Sequence, residues 1–123
     1  MALTKKQEIG AEGEENACKF LEKKKYKILE RNWKRKQGEI DIVGFDRDGV
    51  LVFVEVKTVH FWKGGLSPED QMTRGKIIRF KRAVQMYVGS HEDLVNDKKG
   101  FRCDLLALTK IENDFVIKHY ENI

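Results

Sequence analysis

Two carboxylates and a lysine lie in neighbouring stretches of chain that both have the alternating pattern of β-strands. Asp41 belongs to the first stretch, and Glu55 and Lys57 belong to the second. Successive side chains of a strand point to opposite faces, so Glu55 and Lys57 project to the same side. A hairpin turn over Asp46-Arg47-Asp48-Gly49 would pair the two strands and bring Asp41 close to Glu55.

These residue types suit a divalent cation and a phosphate ester. Charged groups among apolar neighbours are costly unless they are paired or bind a metal, and two adjacent carboxylates are tolerated when a cation lies between them. Mg²⁺, with Mn²⁺ as a substitute, prefers such hard oxygen ligands. Lys57 could orient a water or stabilise charge on phosphate. Glu14, the one acid on the packed face of a predicted helix, could complete the cluster.

An alternative for this triplet is an exposed ion pair on an edge strand, with Asp41 as an acid close to a turn. The neighbours of Glu55 argue against it, because Phe53, Val54 and Val56 are apolar and favour burial of the strand.

The elements that must position these residues indicate an α/β fold with the order α-β-β-β-α-β-β. Thr4-x-x-Gln7 is a capping box that opens a helix over residues 5–24. Strands are predicted at 26–33, 39–45, 50–58, 101–108 and 115–120, with a second helix over 70–88. The second strand is expected to place four residues on one face and two on the other: Glu39, Asp41, Val43 and Phe45 against Ile40 and Ile42.

The composition excludes several classes of protein. A chain of 123 residues is one domain's worth, and 12 aromatic residues within 41% apolar composition exclude a disordered chain. The longest apolar run, residues 50–54, is too short to cross a membrane, and we expect no secretory signal. Cys18 and Cys103 form no Cys-x-x-Cys motif, which predicts buried thiols in a reducing cytoplasm and, with three scattered histidines, no zinc site.

Positive charge is concentrated in two stretches of the chain. Residues 23–36 hold eight Lys/Arg and one acid, and residues 74–82 hold five Lys/Arg and no acid. Any single basic run is commonly just a solvated face. Two such runs interleaved with Tyr26, Trp33 and Phe80 favour a polyanionic partner, because lysine and arginine that neutralise phosphates release counterions.

The acidic motif resembles a known nuclease signature. The pattern Ile40-Asp41 followed by Glu55-x-Lys57 resembles the D…(D/E)-x-K motif of the restriction-endonuclease-like superfamily, with Ile40 where a proline is frequent. Across most of the chain the sequence is similar to the YraN-like family of uncharacterised bacterial proteins, which is similar to archaeal Holliday-junction resolvases. The motifs that carry this similarity are Gly10-x-x-Gly13-Glu14 with Ala17, Arg31-Asn32, Gly38-Glu39-Ile40-Asp41, Phe53-Val54-Glu55-Val56-Lys57 and Phe101-Arg102-Cys103-Asp104.

The resemblance implies a single endonuclease-like domain over residues 1–123, with a three-layer α/β/α core and a mixed central sheet. It implies that Asp41, Glu55, Glu14 and the main-chain carbonyl of Val56 bind Mg²⁺ and that Lys57 activates water. Hydrolysis would leave a 5′ phosphate and a 3′ hydroxyl. By the same analogy the enzyme would be an endodeoxyribonuclease for structured or branched DNA, and a homodimer is suggested.

The residues predicted to contact nucleic acid come from the basic stretches and from an aromatic loop. They are Arg31, Asn32, Lys34, Arg35, Lys36, Arg74, Lys76, Arg79, Trp62 and Lys63. The aromatics of the loop at residues 60–65 either stack on nucleic acid or form a hydrophobic lid on the domain. Two alternatives to the nuclease remain at this point: a nucleic-acid-binding protein without catalysis, and a structural charge network within an interaction domain.

Overall fold

A computed structural model describes residues 2–123. Two helices and five strands follow one another in the predicted order, with bounds α1 (Lys5–Lys23), β1 (Lys27–Arg35), β2 (Gly38–Phe45), β3 (Leu51–His60), α2 (Arg74–Ser90), β4 (Phe101–Ile111) and β5 (Asp114–Tyr120). The capping box of α1 is present, because the Thr4 hydroxyl accepts from the Gln7 N–H at 3.1 Å and the Thr4 N–H donates to the Gln7 side chain at 2.9 Å.

The five strands form one mixed sheet in the order β1-β2-β3-β4-β5. Neighbours are antiparallel except for β3 and β4, which are parallel because α2 lies between them in the chain. The β2–β3 connection is tight: the Asp46 carboxylate accepts from the N–H groups of Asp48 and Val50, and Gly49 has a φ of 83°.

Each helix covers one face of the sheet. On the α1 face, Ala17, Cys18 and Leu21 pack against a second group of apolar residues: Ile42, Val52, Val54, Leu106 and Leu108. On the α2 face, Phe80, Ala83, Val84 and Tyr87 pack against another: Trp33, Ile40, Val43, Leu51, Phe53 and Cys103. The molecule is therefore a three-layer α/β/α core with a mixed central sheet, as the sequence predicted.

Two expectations about local structure were wrong. The second helix begins at Arg74 rather than residue 70, because a separate short 3₁₀ helix, Glu69–Gln71, precedes its cap at Thr73. Ile40 and Ile42 do not share a face: Ile40 lies in the α2 core and Ile42 in the α1 core. The alternation of side chains along β2 is therefore interrupted between Ile40 and Ile42. Asn32 of β1, which lies between the residues paired with these two, has a φ of 53°.

A second charged cluster holds β4, β5 and the β2–β3 turn together. Asp104 is fully buried and accepts from Arg102 at 2.9 and 3.0 Å, from His119 at 2.8 Å and from the Asn122 N–H at 3.0 Å. Arg102 also donates to Asp46 at 3.1 Å. Both oxygens of this buried carboxylate accept hydrogen bonds, so the cluster stabilises the packing of β4, β5 and the β2–β3 turn.

None of the helices within residues 2–123 combines the length and apolar character that crossing a bilayer requires.

Candidate metal centre

The centre of the site is the point where β2 and β3 separate. Their backbone pairing ends at Ile42 and Val54. Beyond this pair, the Asp41 carboxylate accepts the N–H of Val56 at 2.7 Å, so a side chain takes the place of a ladder bond. Asp41 and Glu55 line the same cavity, and Glu55 is only 8% exposed. The structure therefore brings the two acids together, with Glu55 buried and Asp41 partly buried.

Lys57 and Glu14 complete the cluster from opposite sides. The Lys57 ammonium lies 3.3 Å from the Glu55 carboxylate. Glu14 extends from α1, where Gly13 allows the helix to lie directly on Thr58 of β3. A cavity of about 260 Å³ joins all four side chains, and its other lining residues are Lys6, Gly10, Glu39, Val56, Thr58 and Gln71.

Burial changes the protonation of the two central acids. Burial, followed by the charge of the neighbouring Glu55, raises the pKa of Asp41 to about 8. Burial also raises the pKa of Glu55, although the adjacent Lys57 opposes the shift. At neutral pH the pair therefore retains a proton, and a bound divalent cation would relieve the repulsion that keeps it there.

The donor set fits a hard dication. Asp41, Glu55 and Glu14 offer carboxylate oxygens to one cavity, and Val56 lines the same cavity. The Thr58 hydroxyl oxygen is buried and finds no hydrogen-bond partner among residues 2–123. This oxygen faces Gly13 of α1, so it marks the close packing of the helix on β3.

A basic surface adjoins the acids on the α2 side. Lys76 and Arg79 line a small cavity of about 110 Å³ together with Glu39, Glu55 and Lys57. The β1–β2 hairpin tip packs on the same helix: a Cβ on Gly38 would lie 3.1 Å from the Ala83 Cβ and 3.2 Å from the Arg79 carbonyl. The fold thus joins the two basic stretches, which lie far apart in sequence.

We call this surface the basic ridge. It consists of the exposed cations of the hairpin tip and of α2: Lys34, Arg35, Lys36, Lys76, Arg79, Lys81 and Arg82. Two members have contacts of their own, since Lys34 lies 3.9 Å from the Glu39 carboxylate and Arg35 stacks 4.6 Å from the Trp33 ring centre. Arg74, the first residue of α2, is exposed at the end of that helix.

Arg31 and Asn32 face the acids of α1 instead of the ridge. Arg31 pairs with Glu15 at 3.1 Å and approaches Glu14 at 3.6 Å. The Asn32 amide donates to the Glu14 carboxylate at 2.7 Å. These two residues hold Glu14 in place, a role that the sequence reasoning did not predict.

The aromatic loop is not a packed lid. Phe61 is 57% exposed and Trp62 66% exposed, and Lys63 beside them is also exposed. Trp62 lines a separate groove that shares Lys6, Thr58 and Gln71 with the cavity of Asp41 and Glu55. The sequence reasoning missed these three shared residues, because neither periodicity nor a motif distinguishes them from surface positions.

Comparison with known proteins matches most of the chain to one protein family. The profile of the uncharacterised protein family UPF0102 matches residues 13–108. A UPF0102 protein of Flavobacterium johnsoniae is 39% identical over 112 residues, 91% of this chain and 89% of that protein. A UPF0102 protein of Carboxydothermus hydrogenoformans is 35% identical over 118 residues, 96% of each chain. One from Syntrophomonas wolfei is 47% identical over 83 residues, 68% of this chain and 70% of that protein.

Proposed function

The chain belongs to the uncharacterised protein family UPF0102, and from its site we propose that it is a Mg²⁺-dependent nuclease that hydrolyses phosphodiester bonds in structured or branched DNA. The observation that carries the proposal is that the partly buried Asp41 and the buried Glu55 line one cavity, with the Lys57 ammonium 3.3 Å from the Glu55 carboxylate. Such a cluster is costly to fold, and a site for a cation and a phosphate explains why the fold retains it.

Each residue of the cluster has a role in this chemistry. Asp41, Glu55 and Glu14 would hold Mg²⁺ or Mn²⁺, with the Val56 carbonyl as a further ligand. When bound, the ion supplies Lewis-acid stabilisation of the charge on the phosphoryl and leaving oxygens. Lys57 would hold the water that attacks phosphorus, and the bond to the 3′ oxygen breaks to leave a 5′ phosphate and a 3′ hydroxyl.

The basic ridge would bind the DNA backbone. Lys76 and Arg79 border both the acids and the ridge, so a strand that contacts them presents its phosphates to the site. Backbone contacts fix the position of a duplex without selecting a base sequence, which suits a substrate defined by its shape.

The compartment and assembly belong to the same proposal. Cys18 and Cys103 are free and buried on opposite faces of the sheet, so they cannot pair within the chain, which supports a reducing, cytoplasmic setting.

A homodimer would let two active sites act on the two strands of a branched DNA. Sedimentation of the protein with and without a four-way junction tests this assembly.

The proposal is tested by cleavage of branched, flapped and linear DNAs in Mg²⁺ or Mn²⁺. We expect strand cleavage by the wild type and a loss of at least about a hundredfold in Lys57→Ala, by analogy with removal of other transition-state groups. Lys19→Ala, an exposed lysine on α1, is the matched control and should cleave normally.

Calorimetric titration of Mn²⁺ separates the alternatives. Binding that disappears in Asp41→Asn supports the metal site, whereas undiminished binding in that variant removes it. Equal cleavage by wild type and Lys57→Ala would show a contaminating nuclease. DNA binding without cleavage would leave the non-catalytic binding protein.

A further inference from the structure

A groove beside the metal cavity carries exposed aromatic and aliphatic side chains. Three large apolar residues of the segment after β3 face solvent: Phe61 is 57%, Trp62 66% and Leu66 69% exposed. Of these, Trp62 and Leu66 line the groove. Exposed apolar groups clustered in one short segment are a feature of binding surfaces more than of ordinary protein surface.

The indole of Trp62 is held in a defined position. The Gly65 N–H donates to the Trp62 carbonyl at 2.9 Å, and Gly64 closes the turn with a φ of 83°. A Cβ on Gly65 would lie 2.7 Å from the indole, so the ring rests directly against this glycine. The neighbouring Phe61 is anchored to the sheet, because its N–H donates to the Lys110 carbonyl at 2.8 Å. The Trp62 indole is therefore both exposed and held in position before any ligand binds.

The groove leads into the metal cavity and is positively charged. It has a volume of about 470 Å³ and shares Lys6, Thr58 and Gln71 with the cavity that contains Asp41 and Glu55. Lys5 and Lys6 border it, and none of the described residues that line it is acidic. An aromatic platform flanked by lysines and free of carboxylates complements one class of polymer, a nucleic-acid strand.

We propose that this groove binds an unpaired nucleotide of the substrate, with its base stacked on Trp62 and its phosphate beside Lys5 and Lys6. The inference rests on the proposed function and narrows it: the preferred substrate has a single-stranded segment, such as a flap or tail, next to the scissile phosphate. A base inside a duplex has both faces covered by its neighbours, so only an unpaired base can use the indole.

The test measures binding without cleavage. Trp62 fluorescence is titrated in EDTA with a tailed duplex and with a blunt duplex of the same length. Trp33, the other tryptophan, is only 5% exposed, so a change in emission reports on Trp62. We expect quenching by the tailed DNA and little quenching by the blunt one. The affinities of Trp62→Ala and Trp62→Phe, which lack this fluorophore, are measured against wild type by the anisotropy of dye-labelled tailed and blunt duplexes. We expect affinity for the tail about tenfold lower in Trp62→Ala, with partial retention in Trp62→Phe.

Two control comparisons distinguish a specific contact of Trp62 and Lys5 with the tail from the general loss of an apolar or a charged side chain. Met86→Ala removes a different exposed apolar side chain, on the outer face of α2, and should bind like the wild type. Lys5→Ala should weaken binding of the tail more than Lys19→Ala, which removes the same charge from the same helix.

The outcomes distinguish this inference from the nuclease proposal. Quenching and a Trp62→Ala defect specific to the tail support it even if no DNA is cleaved. Equal affinities of wild type and Trp62→Ala for the tail, or equal losses on tailed and blunt DNA, overturn it even if cleavage is observed.

Discussion

Asn32 connects an element of the sheet to the acid that α1 contributes. Its amide donates to Glu14 at 2.7 Å, and it does so from a left-handed conformation with a φ of 53° within β1. Asparagine tolerates this region better than most residues other than glycine. The geometry of the backbone and the placement of Glu14 are therefore set by the same residue.

Substitution of Asn32 separates these two effects. Asn32→Gly keeps the backbone conformation but removes the amide, so we expect Mn²⁺ affinity to fall by about tenfold with little loss of stability. Asn32→Ala should show the same loss of affinity and an additional destabilisation of about 1 kcal/mol from its positive φ. Calorimetric titration measures the Mn²⁺ affinity, and urea unfolding measures the free energy of unfolding. Unchanged Mn²⁺ affinity in both variants would mean that Glu14 is not a ligand.

The pH dependence of stability should reveal the raised pKa of Asp41. In the unfolded chain this carboxyl ionises near 3.8, whereas burial and the charge of Glu55 raise its pKa to about 8 in the folded protein. Between these values the unfolded state releases a proton that the folded state retains, so stability contributed by Asp41 falls as the pH rises. Asp41→Asn, which has no charge to lose, should gain in melting temperature over the wild type from pH 5 to pH 8 in EDTA.

Saturating Mg²⁺ should make the wild type melt at a higher temperature than Asp41→Asn at pH 8. The ion would stabilise the wild type at pH 8 by binding the ionised pair, and it should leave Asp41→Asn almost unchanged. Melting curves at several pH values, with and without the ion, provide the measurement. A difference between the two proteins that stays constant from pH 5 to pH 8 would show that Asp41 ionises normally.

The hairpin register was sufficient to predict the meeting of Asp41 and Glu55, because a tight turn fixes which residues of β2 and β3 lie opposite each other. The capping box likewise predicted the start of α1. The contact of Asn32 with Glu14 and the opposite faces of Ile40 and Ile42 could not be predicted. Neither the left-handed conformation of Asn32 nor the break in alternation along β2 leaves a trace in the hydrophobic pattern.

At the scale of elements, the distance between α1 and the sheet decides whether Glu14 reaches the cavity. Gly13 is buried, and a Cβ there would lie 2.1 Å from the Thr58 hydroxyl and 2.8 Å from the Thr58 Cβ. Any larger residue at position 13 must therefore move the helix away from β3 and carry Glu14 with it.

Two glycines three residues apart on α1 make a matched test. Gly13→Ala should destabilise the fold by about 1–3 kcal/mol through overpacking and weaken Mn²⁺ binding. Gly10→Ala should stabilise it by about 1 kcal/mol, because no described heavy atom outside its own helix and chain neighbours would lie within 4 Å of its Cβ and alanine favours a helix. Urea unfolding gives both values. Equal stability of the two variants would contradict the close approach of α1 to β3.

At the scale of the whole molecule, the fold decides which charges act together. The two basic stretches are visible in the sequence, but their contact depends on the β1–β2 tip reaching α2 at Gly38. Composition gives a net charge of only +4, which says little about a surface. The concentration of cations beside the acids follows from tertiary packing. The sequence therefore predicted the two basic stretches, but not that Arg31 and Asn32 contact the acids of α1 instead of joining the ridge.

The salt dependence of DNA binding tests this arrangement on two arginines of one helix. Arg79 borders the small cavity that contains Glu55 and Lys57, whereas Arg82, three residues later, lines a different groove on the outer face of α2, beside Met86. If DNA lies across the site, Arg79→Ala should reduce the slope of log affinity against log salt by about one, because one phosphate contact and its counterion are lost. Arg82→Ala removes the same formal charge at a greater distance from the acids and should reduce the slope less. Equal reductions would show that DNA follows the outer face of α2 and misses the acids, and a flat dependence in the wild type would mean that the ridge is only a solvated surface.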